Sequence, residues 1–111
     1  MDDAVIVVLC TAPADRARDL ADRLLEERLV ACANMIGPVV SRYHWRGAIE
    51  ESEETVILFK SRAALRERLR RRISELHPYE VPEVLELDAD GGLEAYLAWV
   101  RESCPAPEGN P

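Results

Sequence analysis

The chain has 111 residues, 48% apolar and 32% charged, a balance that fits one globular domain able to bury a core without disulfides or structural metal. Its 14 basic and 21 acidic residues leave a net charge of −7, which excludes nucleic acid as the main partner because phosphate binding needs a basic footprint. No apolar run approaches the ~18 residues of a membrane span, and the acidic Met1-Asp2-Asp3 start is not the basic region of a signal peptide, so no membrane partner and a cytoplasmic setting are expected.

In chain order, Ala4–Leu9 is a continuous apolar, β-branched run that predicts a strand buried on both faces. Asp15 is the expected opening of a helix to about Arg28, with Ala17, Leu20, Ala21, Leu24 and Leu25 on one side. Val30–Lys60 reads as one long antiparallel hairpin turning at Arg46-Gly47. Its first arm would span roughly 50 Å at about 3.3 Å per residue, against a radius of gyration of about 13 Å for a compact chain of this length. Such an arm must bend or lie against another chain. Gly37-Pro38 interrupts it and marks it as an edge strand.

The return arm starts with Glu50, Glu51, Glu53 and Glu54, read as a solvated acidic stretch rather than a loose site for hard cations, since no glycine-turned loop supplies Ca²⁺ geometry. Ser61 is the expected cap of a second helix, whose Leu65, Leu69, Ile73 and Leu76 form an apolar stripe; Arg66, Arg68, Arg70, Arg71 and Arg72 on it read as a solvated face. The prolines of His77-Pro78-Tyr79-Glu80-Val81-Pro82-Glu83 enforce an extended segment. Val84–Leu87 is a fourth strand, and Leu93, Tyr96, Leu97 and Val100 share one face of a short third helix. Residues 1–104 thus form a single domain and the Pro/Gly-rich 105–111 a disordered tail. The class is α+β. The order β-α-β-β-α-β with an added C-terminal helix is the ferredoxin-like plan, whose two main helices cover one sheet face and leave the other for a further subunit.

Val7–Pro13 (VVLCTAP), Ala31–Gly47 (ACANMIGPVVSRYHWRG), Glu54–Ser61 (ETVILFKS), His77–Glu83 (HPYEVPE) and Ala95–Val100 (AYLAWV) together resemble the CutA divalent-cation-tolerance proteins over nearly the whole chain. The resemblance implies a cytosolic homotrimer built on the long hairpin strands, like the PII signalling proteins, with clefts between subunits and a role in tolerance of divalent cations, copper above all. It also implies copper ligands: a cysteine ending the first strand, here Cys10, and a histidine before Pro-Tyr, here His77, while Leu76 stands where copper-binding relatives have a further histidine.

A thiolate with an imidazole suits copper or zinc. The alternative is a small core residue at Cys10 and a helix-capping His77. Tyr43 and Trp45 form an aromatic anchor for an interface or a ligand wall, and Tyr79, Glu80 and Glu83 are expected in a cleft that takes a metal ion or a small ligand, anionic or otherwise. His44 is read as surface polar. The three cysteines, Cys10, Cys32 and Cys104, lack Cys-x-x-Cys spacing and are expected as free thiols, Cys32 packed and Cys104 the most open to oxidation. No nucleophile elbow, phosphate loop or HExxH is present, so an enzyme is not expected. The alternative to a metal-responsive protein is a trimeric scaffold acting through a small ligand or partner.

Overall fold

A computed structural model describes residues 4–107. It comprises β1 (Val5–Ala12), α1 (Ala14–Glu26), β2 (Cys32–Trp45), β3 (Ala48–Arg62), a 3-10 turn (Ala63–Leu65), α2 (Arg66–Leu76), β4 (Val84–Asp88) and α3 (Glu94–Ser103). The antiparallel sheet has the order β2-β3-β1-β4, the ferredoxin-like arrangement, with β2 on the edge.

Alternation along β1 explains where the core sits. Ile6, Val8, Cys10 and Ala12 point to one face, and Ile57 and Phe59 join them from β3. Leu20, Leu24, Leu69 and Ile73 from α1 and α2 close that side, all nearly inaccessible. On the other face Val7 and Leu9 are half-buried, while Leu85 and Leu87 beside them stay more than half exposed. Within one chain, then, β1 is covered on one face only, and the second face remains apolar and open. This corrects the expectation of burial on both faces as far as a single chain goes.

Arg46 and Gly47 both have positive φ, at 50° and 83°, as a two-residue type I′ hairpin turn requires. The arms run 14 and 15 residues, and the chain measures 47 × 30 × 23 Å with a radius of gyration of 14.8 Å. Its long axis exceeds a compact body of this length, as an overlong hairpin should make it. The β2–β3 register shifts between Ile36 and Val39, where a β-bulge absorbs Gly37 and Pro38 across a cis peptide bond. A Cβ on Gly37 would meet Thr55 Oγ1 at 3.1 Å and Thr55 Cα at 3.3 Å, so a side chain there would press on the facing strand.

Several local expectations are corrected. Pro13, not Asp15, precedes α1, and Asp15 lies in its first turn. Ser61 does not cap α2: β3 runs on to Arg62, and the Ser61 hydroxyl donates to the Leu29 carbonyl at 2.7 Å. The arginines of α2 are not all a solvated face. Arg66 and Arg70 clasp Glu86 of β4, and Arg72 holds Glu27 of α1. Cys104 is buried and donates to the Val100 carbonyl, which removes it as the exposed thiol; Cys32 is the accessible one, beside Tyr96. His44 is exposed, as read from the sequence. Residues 105–107 have no regular structure, and 108–111 of the expected tail lie outside the described residues.

Candidate functional site

Where the hairpin leaves the body, its inner side faces the 77–83 segment across a cleft of about 830 Å³. The pairs Tyr43–Glu50 and Val39–Glu54 bring alternate residues of the ribbon to that side. Two prolines keep the segment extended, so it crosses the end of β1 to reach β4. All five residues expected in a cleft, Tyr43, Trp45, Tyr79, Glu80 and Glu83, line it. Sequence reasoning missed three more of its lining residues, Thr11, Glu50 and Glu54.

His77 is the anchor of the segment. It is buried, its Nδ1 accepts the Tyr79 N–H at 3.1 Å, and its Nε2 lies 2.8 Å from the Thr11 carbonyl. Because Nδ1 accepts, it carries no hydrogen, which puts the ring hydrogen on Nε2, donating to Thr11. The Tyr79 ring leans on the imidazole with centroids 4.8 Å apart.

Tyr79 then spans the cleft, its hydroxyl donating to Glu54 Oε2 at 2.7 Å. Burial, that hydrogen bond and the Glu54 charge together push the phenol well above its ordinary value, so Tyr79 stays a donor. Glu54 is only 5% exposed, which corrects its reading as part of a solvated arm.

Cys10 points to the helix side and is fully buried, its Sγ 3.7 Å from the same Thr11 carbonyl. Burial pushes its thiol up to about 12, with the charges of Glu83 and Glu54 adding to the effect. Cys10 and His77 therefore converge on one carbonyl. Each carries its hydrogen on the atom that faces that carbonyl. Among the described residues no group of three or more His, Cys, Asp or Glu side chains is placed to hold a metal ion.

The outer end of the cleft is aromatic. Arg46 lies over the Trp45 ring at 5.2 Å and pairs with Glu80 at 3.5 Å, while the Tyr43 hydroxyl lies 3.2 Å from Ser52 Oγ. Arg42 also lines the cleft but pairs with Glu51 at 3.4 Å. The surface is strongly acidic, with Glu50, Glu54, Glu80 and Glu83 on it.

An α+β ferredoxin-like domain with a projecting edge hairpin and an acidic cleft at its root defines a narrow class. The family model described as CutA1 divalent ion tolerance protein matches residues 6–103, and the chain belongs to that family. It is 41% identical over 98 residues to the divalent-cation tolerance protein CutA of Thermus thermophilus, covering 87% of this chain and 95% of that protein. The crystal structure of CutA1 from Oryza sativa superposes with a TM-score of 0.89 at 32% identity, covering 97% of this chain and 98% of the other. A CutA from Archaeoglobus fulgidus, described as a periplasmic divalent cation tolerance protein, superposes with a TM-score of 0.86 at 31% identity, covering 90% and 98%. Among the described residues no helix is long and apolar enough to cross a membrane.

Proposed function

We propose that this chain acts in the cytoplasm as a homotrimer that binds divalent and soft metal cations, copper among them, through the acidic cleft and the Cys10–His77 pair behind it. Family membership supports the link to cation tolerance. The observation that carries the finer reading is the convergence of Cys10 and His77 on the Thr11 carbonyl at the cleft wall. A thiolate and an imidazole suit Cu(I), and two ligands suit a cargo ion that is taken up and released. Uptake through these atoms would release the Cys10 thiol proton to solvent and shift the His77 hydrogen from Nε2 to Nδ1, which ends the Tyr79 N–H bond accepted there.

The exposed apolar residues support assembly. Ile36, Leu85 and Leu87 on the open sheet face and Val40 and Ile49 on the hairpin are each at least half exposed, an arrangement suited to further copies of the chain.

A Cu(I) titration under reducing, anaerobic conditions against a competing chelator tests the metal reading. The intact protein should take up about one copper per chain. Cys10→Ser and His77→Ala should each weaken that binding at least tenfold, about 1.4 kcal/mol. Equal binding by all three proteins, at unchanged assembly, would overturn it.

A further inference from the structure

The sequence holds a single Asp-Gly pair, Asp90-Gly91, and the fold leaves both partners unoccupied. Residues 89–93 join β4 to α3 without regular structure, and Asp90, Gly91 and Gly92 are exposed. Ala89 is fastened ahead of them, its N–H on the Val5 carbonyl at 3.0 Å, and Leu93 behind them accepts the Leu97 N–H at 3.0 Å. Between those points, among the described residues, the Asp90 carboxylate makes no hydrogen bond or ion pair, and the Gly91 amide makes no backbone bond. A Cβ on Gly91 would meet nothing within 4 Å, so the space around its backbone is open. The register of β4, with Asp88 beside Ile6 and Val84 beside Cys10, puts this loop at the end of the sheet away from the cleft and the hairpin.

That placement permits a reaction of the chain with itself. The Gly91 nitrogen can reach Asp90 Cγ and close a cyclic imide. The Cγ–N bond forms, a Cγ–O bond breaks, and the oxygen leaves as water with the amide hydrogen and the carboxyl proton. Water then adds to one of the two imide carbonyls. Opening at Cγ restores aspartate, whereas opening at the backbone carbonyl routes the main chain through Cβ and Cγ and leaves a free carboxylate on Cα. No oxidant or cofactor enters. Closure is hindered by a Cβ on the following residue, which crowds the attacking nitrogen, and by a backbone held in regular structure. Asp90 is free of both. Asp15, Asp19 and Asp22 are locked in α1 and each is followed by a side chain, while Asp88 lies in β4 with its carboxylate on Arg66 at 2.9 Å.

We propose that Asp90 is a self-modifying site, which cyclises on Gly91 and reopens in part as isoaspartate, a substrate for enzymes that methylate the isoaspartyl carboxylate. The product lengthens the main chain of the β4–α3 connection by one methylene, between the Ala89 fastening and the start of α3. The element it slackens is the helix that carries the buried Val100 and Cys104.

Prolonged incubation of the intact, folded protein in neutral buffer provides the test, read by peptide mapping with electron-transfer fragmentation and by methyl incorporation from an isoaspartyl carboxyl methyltransferase. Asp90 should convert at least tenfold faster than Asp15, Asp19, Asp22 or Asp88. Gly91→Ala, for which the loop has room, should slow conversion at least fivefold. Asp90→Asn should accelerate it through the same imide, because at neutral pH a side-chain amide is a better electrophile than a carboxylate. Conversion at Asp90 no faster than at the other aspartates, or an unchanged rate in Gly91→Ala, would overturn the proposal. So would conversion in the folded protein far below that of the chain unfolded in guanidinium, since the fold or another copy of the chain would then hold the loop shut.

Discussion

Tyr79 and Glu54 illustrate how much one residue's environment decides. Removing the phenol with Tyr79→Phe leaves the Glu54 carboxylate buried without a protein donor, a loss expected to cost about 1–3 kcal/mol. Chemical denaturation should report this, and the same substitution in a Glu54→Gln background should cost clearly less; equal costs would show that the two side chains do not interact. The thiols offer a second check. Cys10 and Cys104 are inaccessible and both held above the ordinary thiol value by burial, whereas Cys32 is partly exposed. Alkylation of the native protein near pH 8 should therefore modify Cys32 first, as peptide mass mapping will read; early labelling of Cys104 would contradict its burial.

At this scale the sequence was least legible. Glu54 looks like its acidic neighbours, and Cys104 looks peripheral, because one-dimensional position says nothing of what a distant segment lays over a side chain. Tyr79 covers the first, 25 residues away, and the packing of α3 covers the second.

At the scale of elements, patterns repeated over many residues were read correctly. The hairpin turns at Arg46-Gly47, the proline near the middle of β2 lies on an edge strand, and the stripe of Leu65, Leu69, Ile73 and Leu76 faces the core. Boundaries failed where a polar side chain had two equally good uses. Ser61 can cap a helix or bond a neighbouring carbonyl, and the pairing of β3 with Val5 and Ile6 draws it into the strand. The α2–β4 clasp was invisible because its charges lie far apart in sequence. Arg70 and Arg66 hold the Glu86 carboxylate below its ordinary value. Folding therefore gains from this group above the unfolded carboxylate value of about 4.3 and loses that gain as pH falls through the lower folded value. Glu86→Gln should lower stability at neutral pH and flatten the acid decline below about pH 4.3 in thermal unfolding. A parallel decline in both proteins would assign acid sensitivity elsewhere.

For the whole molecule, the mismatch between a long arm and a small body was readable from strand length alone, and it survives in the 47 Å long axis. Which surface answers it was not, since exposure of Leu85 and Leu87 depends on α1 and α2 packing against the opposite face. Leu87→Glu should convert the trimer proposed above into monomers in sedimentation velocity at micromolar concentration, while the far-ultraviolet dichroism stays unchanged. A monomeric mass for the unmodified protein would instead refute self-association.

The 77–83 segment is fastened first to β1 through His77, then to β3 through the Tyr79 hydroxyl and to the hairpin turn through the Glu80–Arg46 ion pair. An ion that claims His77 Nε2 undoes the first fastening and shifts the segment that positions Tyr79 over Glu54. Occupation of the two places is then a single thermodynamic account: whatever factor a bound metal imposes on the affinity of the cleft, an occupant of the cleft must impose on the metal. On the reading proposed above, a chain of this size would report one solute in terms of another, with no moving domain.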